Sequence, residues 1–272
     1  MSDYLRVLDS AEQHLLALKA SGVRFLSVDS NTMTALTGAP RAVMNRDAAP
    51  MTPPAQNSTV ILSYDGVETA AGMEELRQRA MACLKCPHLV KSRKNVVFGV
   101  GDAHARLMFV GEAPGADEDA QGEPFVGAAG QLLTRIIKTM GLSRETVYIA
   151  NILKCRPDTP GQLSGNRKPT SDEMKTCLPY LIAQIDLIRP KAMVALGATA
   201  IEGLLGKNEG IGKLRGKFQM FRDIPLMPTF HPAYLLRNQA MSEKRKVWED
   251  MLQVMEKLEM PISEKQQGFF LK

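Results

Sequence analysis

With 272 residues, 44% of them hydrophobic and 23% charged, the chain can bury a full core and has the make-up of an ordinary globular domain with an appendage. No run approaches the ~18 apolar residues of a membrane-spanning helix, and Met1-Ser-Asp-Tyr-Leu-Arg6 lacks a basic-then-apolar leader, so the reducing cytoplasm is expected, without membrane contact. A net charge of +5 permits an anionic partner and says nothing finer.

Residues 3–20 read as a helix, capped by Asp3 and carrying Leu5, Leu8, Leu15, Leu16 and Leu18 at mostly helical spacing. This extension, 1–29, can dock a protein partner or simply fray. Pro40, Pro50, Pro53 and Pro54 break all periodicity in the next stretch, so 30–71 is expected to be a flexible linker. An ordered domain is expected over 72–260, followed by a loose tail, 261–272.

A helix starting at Gly72 runs into Cys83-Leu-Lys-Cys86-Pro87. A CxxC at a helix end brings two sulfurs together, and two further cysteines, Cys155 and Cys177, remain in the chain. The set can be inert core residues plus a chance CxxC, a zinc site, or the ligands of a [4Fe–4S] cluster. Zinc sites usually use two short knuckles, whereas 21 residues separate Cys155 from Cys177, which favours the cluster. Lys91, Arg93 and Lys94 then form a small basic run, solvated or touching phosphate.

The apolar run Leu107-Met-Phe-Val110 is a strand, and Gln131 to Met140 is an amphipathic helix. Between them lies a Gly/Pro-rich loop with Glu112, Asp117, Glu118, Asp119 and Glu123 around one aromatic, Phe125. A strand–loop–helix of this kind is where open α/β sheets place ligands. A second strand, from Val147, ends at Asn151, whose amide offers a donor and an acceptor together, as a nucleobase edge requires, or else simply makes a turn. The loop 157–170, with Arg156 just before it, carries Arg167 and Lys168, and Ser171 is expected to cap a helix over 171–188. Lys191 to Gly197 reads as a buried strand turning into a helix; it lacks a phosphate-binding glycine pattern. Lys213, Arg215 and Lys217 form a basic stretch, Leu226 to Phe230 a last strand, and His231-Pro sits at its end. Alone, such a histidine is more often structural than catalytic. A helix over 242–259 closes the domain.

The expected fold is therefore a three-layer α/β/α sandwich around a mostly parallel four-stranded sheet. In such a sheet the ends of the parallel strands share one edge, so one cleft would collect Glu112, Phe125, Asn151 and His231. Arg156, Lys168, Lys213, Arg215, Lys217 and Arg237 would form its cationic rim. An aromatic plate, an amide and a histidine inside such a rim suit a base lifted out of nucleic acid.

With GEAPGADEDAQGEPFVGAAGQLL (111–133), NILKCRP (151–157), ALGATA (195–200), HPAYLLR (231–237) and the CxxC at 83–86, the sequence closely resembles the family 4, iron–sulfur uracil-DNA glycosylases. The resemblance covers about residues 73–258. It implies a monofunctional repair enzyme, a monomer, that flips uracil out of DNA and leaves an abasic site. It further implies that Gly111, Glu112, Ala113, Pro114 and Gly115 form the base- and water-binding loop and that Phe125 stacks on uracil. Asn151 would pair with the base edge and His231 would donate toward O2. Arg156, Lys168, Lys213, Arg215 and Arg237 would grip the strand, while Cys83, Cys86, Cys155 and Cys177 would hold a [4Fe–4S] cluster rather than zinc. Ala113 stands where other branches carry an aspartate, so Glu112 or Glu118 is the candidate to orient water. Family members usually have fewer residues between the last two cysteines, and Gly161 to Gly165 looks like the extra material. The basic insertion of a related uracil-trapping branch is missing before His231, which implies turnover. A non-catalytic iron–sulfur DNA-binding module is the competing expectation; a zinc-bearing nucleotide hydrolase is disfavoured by the missing P-loop.

Overall fold

A computed structural model of the chain describes residues 66–159 and 166–271. The helix expected over 3–20, the linker up to residue 65 and the insertion Gly161 to Gly165 lie outside the described residues. Helix α1, Gly66–Met81, starts earlier than Gly72, and α2 is Pro87–Ser92. The strands are β1 (Val100–Gly101), β2 (Leu107–Gly111), β3 (Tyr148–Asn151), β4 (Ala192–Leu196), β5 (Gln219–Phe221) and β6 (Ile224–Thr229). They form one sheet in the order β1-β3-β2-β4-β6-β5. The four central strands are parallel, as expected. The expected four-stranded sheet is extended to six because short antiparallel strands, β1 and β5, close its two edges.

The strands are apolar because both faces are covered. In β2, every residue is buried. Its side chains alternate: Leu107 and Phe109 face α4 (Ala128–Thr139) and α9 (Met241–Lys257) through Leu133, Ile137, Trp248 and Val254. Met108 and Val110 face α5 (Ser171–Ile188) and α6 (Ala198–Leu205) through Leu181, Ile185 and Ile201. Short helices α3 (Ala116–Gln121), α7 (Ile211–Leu214), α8 (Pro232–Arg237) and α10 (Glu264–Gln267) complete the set. Among the described residues, no helix is long and apolar enough to cross a membrane.

Two local expectations change. Ser171 is the first helical residue of α5, and the cap is Thr170: its hydroxyl accepts from Glu173 N–H while the Glu173 carboxylate accepts from Thr170 N–H at 2.7 Å. This is the reciprocal Thr-x-x-Glu box, which satisfies two otherwise orphaned donors. The tail expected to be loose is tied down: Trp248 Nε1 donates to Gln266 O at 2.6 Å, and Arg245 donates to the carbonyls of Gln267 and Phe269.

The chain leaves β2 for β3 on one side, and β3 connects across β2 to β4 on the other. That reversal opens a crevice at the carboxyl ends of the parallel strands. There Gly111 pairs with Asn151, and Leu196 with Thr229, two residues before His231.

Candidate active site

The crevice is a cleft of about 450 Å³. Glu112, Ala113, Pro114, Gly115 and Glu118 line it after β2, Phe125, Gly127 and Ala128 before and at α4, and Asn151 at the end of β3. His231 and Arg237 close one side, and Pro157, Asn166 and Arg167 the other. The residues that the sequence scatters over three strand ends therefore meet in one place.

Gly111 is the floor on which they meet. A Cβ there would lie 2.4 Å from Asn151 Oδ1 and 2.5 Å from the Phe125 ring, so glycine is what lets the amide and the aromatic approach each other. The Phe125 and His231 rings are 5.6 Å apart, tilted by 31°. Asn151 is almost fully buried, and its Oδ1 is the one buried side-chain polar atom without a hydrogen-bond partner among the described residues. An orphaned acceptor at the wall of a cleft is a site waiting for a donor.

Phe125 adopts φ +56°, a left-handed conformation costly for an aromatic residue. Arg144, Glu118 and Gly130 hold it there. Arg144 donates to Phe125 O at 3.0 Å and to Pro124 O at 2.7 Å. Glu118 accepts from Val126 N–H and Gly127 N–H, each at 3.0 Å, and also from Gly115 N–H. Gly130 lets α4 press on Phe125 O, since a Cβ would sit 1.8 Å from that oxygen. Glu118, expected as a water-orienting group, has both oxygens committed to tying the loop.

His231 caps α8, and its Nδ1 accepts from Ala233 N–H at 3.1 Å. That bond leaves the proton of the neutral ring on Nε2. Burial pushes its pKa down to about 4; the positive charge of Arg237 acts the same way and Glu118 opposes. His231 is therefore a neutral donor at pH 7, not a cation.

A family model, the uracil DNA glycosylase superfamily, matches residues 98–252. A type-4 uracil-DNA glycosylase of Thermotoga maritima is 46% identical over 182 residues, covering 66% of this chain and 91% of the relative. Type-4 enzymes of Saccharolobus solfataricus and Pyrobaculum aerophilum are 47% and 44% identical over 177 residues each, covering 62% of this chain and 77% and 87% of theirs. The chain belongs to the type-4 uracil-DNA glycosylases. It is a DNA-repair glycosylase, a hydrolase of the N-glycosidic bond of uracil in DNA.

Of the cations expected at the rim of this glycosylase's cleft, Arg237 alone lines it among the described residues. Lys213, Lys217 and Arg237 are exposed. Arg156 donates through Nε to Asn166 at 2.8 Å, and Lys168 pairs with Glu202 at 2.5 Å. Arg215, expected on the rim, turns inward instead: it is 14% exposed and forks onto the fully buried Asp250 at 2.5 and 3.0 Å. Three residues in or behind the cleft carried no sequence signal for their roles. Arg144 is one. Arg167 is another, noted only as a loop cation. The third is Lys154, whose buried Nζ donates to Asn151 O at 3.0 Å and Gln184 Oε1 at 2.6 Å, propping the end of β3 from below.

The glycosylase's four cysteines come from three segments. Cys86 precedes α2, Cys155 follows β3 and Cys177 lies in α5, where Cys155 and Cys177 pack with Leu89 and Leu153 and with the half-buried Cys86. Among the described residues no three His, Cys, Asp or Glu groups meet closely enough to share one metal ion. The thiols nevertheless feel one another. Burial pushes Cys177 up to about 12 and raises Cys86 and Cys155, and charge on neighbouring cysteines adds to each rise. Donors already point at sulfur: Lys154 N–H reaches Cys177 Sγ at 3.2 Å, and Arg93 reaches Cys155 Sγ at 3.1 Å.

Proposed function

We propose that the cleft holds a uracil flipped out of DNA, with Asn151 reading its edge, Phe125 stacked on its face and His231 donating to its O2. The observation that carries this reading is the orphaned Asn151 Oδ1 beside the Phe125 ring. Uracil presents an N–H donor at N3 and an acceptor at O4, which the two ends of one amide satisfy together. Cytosine presents the reverse, and a mismatched polar edge buried in such a site is strongly penalised.

Bond breaking separates an oxocarbenium sugar from a uracil anion. The anion is a fair leaving group, so the site needs a donor at O2 more than a strong acid. The neutral Nε2–H of His231 suits that need, and one such donor is typically worth ~3–4 kcal/mol in the transition state. Glu118 is occupied with the loop backbone, which leaves Glu112, also on the cleft, to orient water. The product is an abasic site in an uncut strand, since among the described residues no lysine lines the cleft to form a Schiff base.

The cysteines are proposed to hold a [4Fe–4S] cluster. Burial raises Cys86, Cys155 and Cys177, which therefore resist ionising on their own; bound iron would keep them as thiolates, and the Lys154 and Arg93 donors fit such sulfurs. The long separation of Cys155 from Cys177, 21 residues, suits a cluster better than zinc, which usually draws on two short knuckles. The role proposed for the cluster is structural, joining α2, the end of β3 and α5.

The test is base release from matched oligonucleotides carrying uracil, cytosine or thymine. The wild type is expected to release uracil alone. Asn151→Asp, which turns a donor into an acceptor facing O4, is expected to lose about a hundredfold or more of that rate. Undiminished uracil release by Asn151→Asp would sink the reading.

A further inference from the structure

We infer that Arg167 is a DNA-phosphate contact of this cleft and that Glu173 and His88, on the cysteine-bearing arm, are the residues that position it. The inference rests on the cleft being the uracil-DNA site. Arg167 lines the cleft, opposite Arg237, with 31% of its side chain exposed. Its guanidinium is not free to swing. Nη1 and Nη2 fork onto the two oxygens of Glu173 at 2.9 and 2.5 Å, and Nη1 also reaches Lys168 O at 3.2 Å. Of five donors in the fixed fork, Nε–H and one Nη2 hydrogen remain without a partner in this set. Among the described residues lining that side of the cleft they belong to the one planar, always-charged group, the chemistry that matches a phosphate.

Glu173 is the hub. It is 3% exposed and accepts two further bonds, from Thr170 N–H at 2.7 Å and from His88 Nε2 at 2.5 Å. It sits in the first turn of α5, one turn before Cys177, while His88 sits in the first turn of α2, just after Cys86. The two helices that carry those cysteines are thus latched to each other through the carboxylate that also orients Arg167. His88 itself is 60% exposed and does not line the cleft. Because Glu173 cancels much of the Arg167 charge, what the arm supplies is a pre-aimed pair of donors rather than a strong field. A pre-aimed fork loses less side-chain freedom on binding than a loose surface arginine.

The experiment is equilibrium binding of the full chain to an oligonucleotide carrying one uracil nucleotide with fluorine at the sugar 2′ position, which resists base release, as salt is varied. Single-turnover rates on ordinary uracil DNA accompany it. Arg167→Gln is expected to weaken binding about tenfold or more. The slope of log affinity against log salt should fall by about 0.7, one single-strand phosphate contact. The loss should lie in Kd rather than in the rate at saturating DNA. His88→Ala is expected to weaken binding severalfold with the salt slope kept, because it loosens the aim without removing a contact. Arg167→Lys, the fallback should Arg167→Gln not fold, is expected to keep the slope and lose affinity, since a lysine cannot fork onto Glu173. Wild-type affinity and slope in Arg167→Gln overturn the contact, and so does a loss confined to the saturated rate. Unchanged binding in folded His88→Ala overturns the positioning. If the wild type itself does not prefer the uracil strand over a thymine strand, the cleft reading has failed instead.

Discussion

Two arginine–carboxylate pairs flank the cleft, and the same chemistry serves opposite ends in them. Arg215 and Asp250 lie behind the strand that delivers His231. Asp250 is completely buried, takes the Arg215 fork, and accepts from Thr229 Oγ1 at 2.6 Å at the end of β6. Arg215 also donates to Lys246 O at 2.5 Å and lies 5.7 Å from the Phe230 ring. Arg167 and Glu173 lie on the cysteine-bearing arm, with the guanidinium half in the cleft. The carboxylates shift in opposite directions. Burial, the largest influence, pushes Asp250 up to about 6, while the hydrogen bond from Arg167, the largest influence there, takes Glu173 down to about 2. One pair braces the strand beneath a catalytic candidate. The other presents a cation to solvent and substrate. Net positive charge in a sequence does not tell these apart; the arginine's own exposure does, 14% for Arg215 against 31% for Arg167.

The largest expected effect comes from breaking the inner pair. Asp250→Ala leaves Arg215 buried without its partner and frees Thr229, a change that typically costs ~3–5 kcal/mol. Thermal or denaturant unfolding reads that loss. Per folded molecule, binding to uracil DNA should change little, because Arg215 is not on the rim. A variant that unfolds normally but has lost DNA affinity would reverse the comparison and return Arg215 to the strand-gripping set.

Titration sharpens the contrast next, on a scale bounded by ~1.4 kcal/mol per pH unit for each group. The folded pKa of Glu173 lies below its ordinary 4.5, so its stabilising contribution is complete above that value and is lost as pH falls toward about 2. The folded pKa of Asp250 lies above its ordinary 3.8, so its contribution is best at low pH and is lost as pH rises from 3.8 to about 6. Against Glu173→Gln the wild-type advantage should therefore shrink on acidification. Against Asp250→Asn it should shrink on alkalinisation through that window. Chemical-denaturation midpoints measured across pH check both signs, and parallel slopes would show that the two pairs do not differ in this way.

How legible each region was follows the same division. The parallel sheet, the meeting of Phe125, Asn151 and His231 and the apolar strands were readable, because a strand buried on both faces must be apolar and its end must open at the sheet edge. The edge strands β1 and β5 were not, since two or three residues carry no periodicity. The Thr170 cap was missed for Ser171 because both are good caps; only Glu173, three residues after Thr170, decides between them. Arg215 was misplaced because Lys213, Arg215 and Lys217 look alike in a list of charges, and its partner Asp250 is far along the chain. Arg144, which holds the strained Phe125, has no local signature: its targets are two backbone carbonyls.

Lys168 should give the smallest effect, and it tests whether exposure alone makes a cation useful. It pairs with Glu202 at 2.5 Å, but with 53% and 19% of the two side chains exposed it is the outermost of the three pairs. Exposed pairs of this kind contribute about 0–1 kcal/mol, because water solvates both charges nearly as well as they solvate each other. Lys168→Ala should therefore barely move the unfolding midpoint. Its ammonium is paired with Glu202, does not line the cleft and has no fork to aim, so DNA affinity should fall less than twofold, on the scale of a single weak exposed contact. The salt slope separates the alternatives: removing one engaged phosphate contact takes away about 0.7, removing a bystander takes away nothing. A Lys168→Ala slope reduced as far as that of Arg167→Gln would mean that proximity to the strand, and not a fork held in place at the cleft, decides which cations this glycosylase uses.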